Sequence, residues 1–210
     1  MRKLLSLFAV CALLCCVSGA RAADKTYKVD DEGFIRNWLL LDVIQLDDKA
    51  GNHDEDNQKE FFNKEFFPGQ KKCAPKDGDK VKVGTAENKW TAFQSDDSLV
   101  MFKEQDNSMY MAVAYVICEN EMADVKMKIG SDDSSCWIVN GTEVFRVYAG
   151  RAVGKDDDTT KAFKLNKGSN TILVEVINGG GPSGMCCRIV DKDDKPVKNV
   201  TISLTPPAAP

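Results

Sequence analysis

The stretch that decides the fold covers residues 130–176: it reads G-S-D-D-S-S-C-W-I-V-N-G-T-E-V-F and, from Leu165, L-N-K-G-S-N-T-I-L-V-E-V. An acidic turn leads into a short apolar strand, and Asn140-Gly141 reverses the chain into a second strand over residues 142–147. A Gly/Asn turn at residues 168–170 then precedes an apolar strand over residues 171–177. Short apolar strands separated by such turns are typical of an antiparallel sandwich.

The rest of the chain extends this pattern. Residues 109–118, M-Y-M-A-V-A-Y-V-I-C, are apolar on both faces, which predicts a central strand covered on both sides. Residues 124–129 alternate, with Val125, Met127 and Ile129 expected to point inward. Further strands are predicted at residues 38–46, 80–83, 90–94, 185–190 and 200–204. The chain is therefore expected to be all-β, an antiparallel β-sandwich of the jelly-roll type.

One stretch has helical spacing instead. Phenylalanines at positions 61, 62, 66 and 67 fall close to one face of a helix. Asp56 or Asn57 is expected to cap it, and Pro68-Gly69 to end it. These signals predict one short helix near residues 56–67.

The first 22 residues have the composition of a signal peptide. Arg2 and Lys3 are followed by an apolar run over residues 4–17 and an A-x-A cleavage site ending at Ala22. A lipoprotein signal at Cys15 or Cys16 is the alternative. We expect a secreted or periplasmic protein with a single sandwich domain over residues 23–204 and a disordered tail over residues 205–210. No other segment has the roughly 20 apolar residues that a membrane-spanning helix needs.

Charge excludes several classes of partner. Cleavage after Ala22 removes three basic residues and no acidic one, so the formal net charge falls from -4 to -7. An acidic chain of this kind is not expected to bind nucleic acid or an anionic membrane.

The cysteines leave two interpretations open. Of 8 cysteines, five follow the signal peptide: Cys73, Cys118, Cys136, Cys186 and Cys187. Their spacing matches no zinc motif. They are either small buried hydrophobic residues or, because export permits it, include one disulfide bond.

Two runs carry a resemblance to a known family. Residues 130–141, G-S-D-D to V-N-G, and the later pattern L-x-x-G-x-N-x-I-L-V-x-V from Leu165 resemble the galactose-binding-domain-like jelly rolls. Such modules occur as sugar-binding domains of beta-galactosidase-type glycoside hydrolases and as carbohydrate-binding modules of secreted bacterial proteins. The stretch F-I-x-x-W-L-L-L from Phe34 is similar to their opening strand, but D-V-I follows it here instead of a Gly-Pro-Phe turn. The resemblance implies a fold and, more weakly, glycan binding.

Asp132-Asp133 is the candidate metal site. Adjacent carboxylates before a strand can supply oxygen ligands to calcium. The pair resembles the aspartate pair of lectin domains of the anthrax protective-antigen type. In those domains the pair holds calcium, which orients the hydroxyl groups of a sugar, and the resemblance implies the same role here. The alternative is an acidic surface turn in which one aspartate caps backbone N–H groups. Aspartates are also adjacent at residues 30–31, 47–48, 96–97, 156–158 and 193–194, which favours the alternative. The loop at residues 156–158 is a second candidate to supply calcium ligands.

Three further residues are candidates for binding a ligand. Trp90 lies in the polar stretch N-K-W-T and is either an exposed platform for a sugar ring or part of the core. Tyr148 and Arg151 follow the second strand of the hairpin and are expected to line a cleft at the loop ends.

Catalytic motifs are missing from the sequence. The single histidine, His53, lies in the polar stretch G-N-H-D-E-D, and there is no G-x-S-x-G or H-E-x-x-H motif. The leading hypothesis is thus a secreted, non-catalytic carbohydrate-binding module that recognises a polysaccharide or glycan. The main alternative is a structural or protein-interaction domain of the cell envelope without a sugar site. A third hypothesis is a hydrolase that uses a pair of carboxylates that no motif marks.

Overall fold

The structure, a computed structural model, describes residues 25–207. The signal peptide expected at residues 1–22 and the last three residues of the expected tail lie outside the described residues. Residues 205–207 follow the last strand without forming a helix or a strand. The described chain has no helix long and apolar enough to cross a membrane.

The prediction of an all-β antiparallel sandwich is confirmed. The strands are β1 Thr26–Tyr27, β2 Asn37–Leu41, β3 Ile44–Gln45, β4 Lys80–Val83, β5 Ala86–Gln94, β6 Val100–Met101, β7 Ser108–Cys118, β8 Met122–Asp132, β9 Ser134–Val139, β10 Thr142–Val147, β11 Asp158–Thr159, β12 Phe163–Leu165, β13 Gly168–Asn178, β14 Gly184–Val190 and β15 Val200–Ser203. One helix, α1 Glu55–Asn63, and two 3-10 helices, Asp48–Gly51 and Gln70–Lys72, complete the elements.

The first sheet has the order β10-β9-β13-β7-β2-β5-β4, and β3 and β15 also pair with β7. The longest ladder joins β7 to β13 in register from Cys118 opposite Gly168 to Ser108 opposite Asn178. β1 pairs with β15. The apolar run at residues 109–118 is therefore central, as its lack of alternation predicted.

The second sheet has the order β11-β8-β14-β6, with β12 also paired to β8. Val125, Met127 and Ile129 of β8 are buried, whereas Asp124 is exposed and Lys126 and Lys128 are half-buried. The inward face predicted from the alternation is thus confirmed.

Two cores form on opposite faces of the first sheet. Ala112 and Ala114 of β7 belong to the core between the sheets, together with Met127 of β8. Val113 and Tyr115 point the other way, into a second core that includes Phe62 of α1. The helix therefore covers the outer face of the first sheet, and full burial of a phenylalanine such as Phe62 contributes about 2–3 kcal/mol.

The helix begins and ends earlier than predicted. Asp54, not Asp56 or Asn57, is the N-cap, and its carboxylate accepts a hydrogen bond from the backbone N–H of Asn57. The helix ends at Asn63, because Lys64 already has extended backbone angles. Phe67 still reaches the second core from the turn that follows.

The hairpin turn is confirmed. Asn140 and Gly141 have φ values of 50° and 79°, the two positive values that a type I′ turn requires. The side chain of Asn140 also holds the neighbouring strand, because its Oδ1 accepts from the backbone N–H of Thr171 at 2.9 Å.

The five cysteines of the described chain are free thiols. Four of them are buried in strands, as the small-hydrophobe interpretation expects, and Cys73 is half-buried. Burial raises the pKa of Cys73 and of Cys186 to about 12.

Candidate functional site

The aspartate pair lies where the chain passes from the second sheet to the first. Asp132 is the last residue of β8, Asp133 precedes β9, and the peptide bond between them is cis. Their relative exposures are only 9% and 6%. The expectation of an acidic turn on the surface is therefore wrong about exposure: both side chains are enclosed by neighbouring loops.

Asp133 joins two of those loops. Its Oδ1 accepts a hydrogen bond from the backbone N–H of Arg151, and its Oδ2 accepts one from that of Gly179, both at 2.9 Å. Capping of backbone N–H groups by one aspartate was the alternative interpretation of the pair, and Asp133 does this. A buried carboxylate that accepts two such hydrogen bonds fixes the loop after β10 and the loop after β13 at one place.

Asp132 has a different environment. Within residues 25–207 its carboxylate forms no ion pair, and the backbone N–H of Val153 is the neighbouring group that most favours its charged form. Burial and, next, the negative charge of Asp133 raise the pKa of Asp132 to about 6. The site thus contains one well-satisfied carboxylate and one that lacks a counter-charge.

His53 is the residue that the sequence did not reveal. Its Nδ1 lies 3.7 Å from Oδ2 of Asp133 and 3.4 Å from Nε2 of the buried Gln58. The ring lies against Gly150 and Gly179: a Cβ atom at either position would come within 2.6 Å and 2.5 Å of it, respectively. Glycine is therefore required at both positions, because a side chain there would collide with the imidazole as it is placed.

Arg151 is the one predicted ligand-binding residue that reaches the aspartate pair. Besides its backbone contact to Asp133, its guanidinium donates to the backbone oxygen and the hydroxyl of Ser131, each at 3.0 Å. It also forms an ion pair of 2.6 Å with Asp158. The side chain is thus held in place by the fold, and the carboxylate of Asp158 balances its charge.

The structure places Tyr148 and Trp90 away from the pair. Tyr148 packs on Phe62 of α1, with ring centroids 5.9 Å apart, and its hydroxyl accepts from Arg146 at 3.2 Å. Trp90 has a relative exposure of 0% and belongs to the second core. The expectation of an exposed platform at Trp90 is wrong, because the ring is fully buried in that core.

The donor set offers only part of a metal's coordination shell. No group of three or more His, Cys, Asp or Glu side chains in residues 25–207 is arranged to hold a metal ion. Asp132 and Asp133 would supply two carboxylates, whereas calcium takes six to eight oxygens. Backbone carbonyls of the surrounding loops and groups of a ligand would have to provide the rest.

Comparisons with known proteins find similarity in structure only. No protein-family model and no curated protein matches the chain. A beta-glucosidase from Kluyveromyces marxianus is similar over 53% of this chain, with 14% identity and a TM-score of 0.41, and the match spans 16% of that enzyme. The PA14 domain of the MpAFP antifreeze protein is similar over 81% of this chain and 92% of its own length, with 11% identity and a TM-score of 0.44.

A PA14 sugar-binding domain from an RTX adhesin is similar over 79% of this chain and 96% of its own length, with 11% identity and a TM-score of 0.39. At these identities and TM-scores the comparisons carry no argument about a ligand. The galactose-binding-like resemblance of the sequence stays a prediction.

Proposed function

We propose that this protein is a secreted, non-catalytic module that binds a glycan at the loops around Asp132-Asp133 with the help of calcium. The observation that carries the proposal is the carboxylate of Asp132, which is buried beside a second carboxylate and forms no ion pair in the described chain. A buried charge without a partner is costly, and a bound cation would remove that cost.

Calcium suits the chemistry of the pair because it is a hard cation that binds carboxylate and carbonyl oxygens. Two carboxylates leave most of the shell open, so the hydroxyl groups of a sugar could complete it. The sequence resemblance to sugar-binding jelly rolls supports the choice of a glycan. In this proposal the protein binds and performs no reaction.

The test measures glycan binding and calcium binding separately. A glycan array or a polysaccharide pull-down is performed once with millimolar calcium and once with EDTA. Roughly physiological ionic strength limits non-specific charge effects. Binding that EDTA removes supports the proposal. The variant Asp132→Asn should abolish it, whereas Asp96→Asn, which changes an exposed aspartate of another pair, should not.

Calcium should also stabilise the folded protein. A ligand that binds only the native state raises stability by about 2.7 kcal/mol at 100 times its Kd, so Tm should rise with calcium and fail to rise in Asp132→Asn. No glycan binding together with no calcium effect on Tm would contradict the proposal and favour a structural or protein-interaction domain.

A further inference from the structure

A second candidate site uses none of the residues that contact the aspartate pair. There a cavity of about 480 Å³ is bounded by β2, β5 and β7 of the first sheet and by the edge strand β6 of the second. None of its lining residues forms a hydrogen bond with the side chain of Asp132 or Asp133. The volume falls within the range of small-molecule sites, roughly 300–1,000 Å³.

The wall of this cavity is apolar. Leu40, Val43, Phe93 and Phe102 line it and are only half-buried, although they pack on the main core. Phe102 stacks on Tyr110, with ring centroids 4.5 Å apart and an interplanar angle of 9°.

The one hydroxyl group in the lining of the cavity, that of Tyr110, already has a hydrogen-bond partner. The hydroxyl of Tyr110 donates a hydrogen bond of 2.6 Å to the backbone oxygen of Lys103. A sugar would bury hydroxyl groups here with few partners, which is unfavourable, whereas an aromatic or alkyl group would lose little on entering.

The charged residues at the mouth of the cavity indicate which charge a bound ligand would carry. Lys103 lines it, is exposed, and its amine has no ion pair or hydrogen bond within residues 25–207. The one acidic residue of the lining, Asp42, already accepts a hydrogen bond of 2.8 Å from the backbone N–H of Lys89. This backbone N–H does not neutralise the exposed carboxylate, so the lining carries one charge of each sign. The ammonium of Lys103, which has no partner in the described chain, is the group that can pair with an anionic ligand.

The size of the apolar surface argues against a folded partner. Met101, 45% exposed at the mouth, is the one exposed large hydrophobic residue of the described chain. A stable protein interface buries about 800 Å² on each partner and has several such anchors.

We propose that the cavity binds a small amphiphilic carboxylate, whose aromatic or short alkyl body enters between Val43, Phe93 and Phe102 and whose carboxylate lies beside Lys103. This site is independent of the glycan site, so either proposal can fail without the other.

The test compares two ligands that differ only in charge, 4-phenylbutyrate and 4-phenylbutanol, by isothermal titration calorimetry on the chain without residues 1–22. Saturable binding of phenylbutyrate with one site per chain, tighter than that of phenylbutanol, is expected. Lys103→Gln should weaken phenylbutyrate binding by up to about fivefold, as an exposed ion pair allows, and leave phenylbutanol unaffected. Lys82→Gln, at an exposed lysine of β4, is the matched control.

A second variant tests the cavity itself. Val43→Trp fills it and should abolish binding of both ligands while the circular dichroism spectrum stays native; Asp132→Asn should have no effect. If Val43→Trp does not fold, methyl NMR of the wild-type protein decides, because ligand should shift the signals of Leu40, Val43 and Met101. No saturable binding, binding that survives Val43→Trp, unshifted methyl signals, or equal affinity for the acid and the alcohol would overturn the proposal.

Discussion

The imidazole of His53 lies 3.7 Å from the carboxylate of Asp133 and fills the space between Gly150 and Gly179. The polar loop between the first 3-10 helix and α1 is thereby packed against two loops that Asp133 already holds by their backbone N–H groups. His53 is anchored from its own side by Gln58, whose amide donates to the backbone oxygen of Ala50 at 2.7 Å. Three loops distant in sequence thus meet at one aspartate.

The first prediction concerns the packing of this ring. Gly150→Ala places a methyl group within 2.6 Å of the His53 ring and should lower the free energy of unfolding by about 1–3 kcal/mol. In a His53→Ala background the same change should cost nothing or stabilise by up to about 1 kcal/mol, because the space is then free. Urea unfolding of the four proteins of this double-mutant cycle measures the coupling, and additive effects would refute the contact.

The second prediction is that the two neighbouring aspartates respond in opposite ways to the same substitution. The pKa of Asp132 rises from its ordinary 3.8 to about 6, so its contribution to stability is full below 3.8 and is lost as pH rises to 6. Asp132→Asn should therefore raise the free energy of unfolding at pH 7.5 in EDTA by about 1–2 kcal/mol.

Asp133→Asn should instead destabilise by about 1–3 kcal/mol, because an amide offers one oxygen where two N–H groups now donate. Thermal unfolding of both variants under the same conditions gives the comparison. A shift of the same sign in both would show that the two environments do not differ as described.

The third prediction concerns a buried carboxyl group in the second core. Glu175 has an exposure of 0%; its Oε1 accepts from Gln70 at 2.6 Å, and its Oε2 has no hydrogen-bond partner. Burial raises its pKa from 4.5 to about 7. The folded state therefore holds the proton more tightly than the unfolded state, and stability should fall by about 3 kcal/mol as pH rises from 4.5 to 7.

Glu175→Gln has nearly the same shape and keeps an acceptor for Gln70. It should remove most of this loss, so that the Tm of the variant at pH 7 lies above that of the wild-type protein. Glu60→Gln, on the exposed side of α1, controls for the change in net charge. A wild-type Tm that does not fall between pH 4.5 and 7 beyond the control would contradict the buried, unpaired position of Glu175.

The fourth prediction distinguishes free thiols from a disulfide bond. The native chain without residues 1–22 should react slowly with a thiol reagent at pH 8, because burial raises the pKa of thiols such as Cys73 and Cys186 to about 12. In guanidinium chloride without reductant, five thiols should titrate. A count of three would reveal a disulfide.

The sequence predicts the strands better than the site, for a physical reason. Turn chemistry and apolar alternation are local, so the hairpin at Asn140-Gly141 and the buried face of β8 can be read from neighbouring residues. The helix cap was missed by two residues because Asp54, Asp56 and Asn57 are all acceptable caps, and tertiary packing of Phe61 and Phe62 decides between them.

The candidate site depends on contacts that no local pattern encodes. Asp132-Asp133 could be identified, but one pair among several gave no sign that it is buried. His53 reaches it from a distant loop and packs against Gly179, and no local pattern indicates that contact. Trp90 shows the opposite error, since polar neighbours in sequence say little about a strand whose alternate side chains face a core.

The pairing of β1 with β15 has a consequence for how the chain folds. β7 takes its partners from residues 39–45, 168–178 and 200–203, so its sheet cannot be completed until nearly the whole chain has been synthesised. Until β13 has been synthesised, the edge of the segment M-Y-M-A-V-A-Y-V-I-C that β13 covers has no partner, and the segment is prone to aggregate. Folding should accordingly be slow and post-translational, with its rate limited by closure of the long loop between the first and last strands.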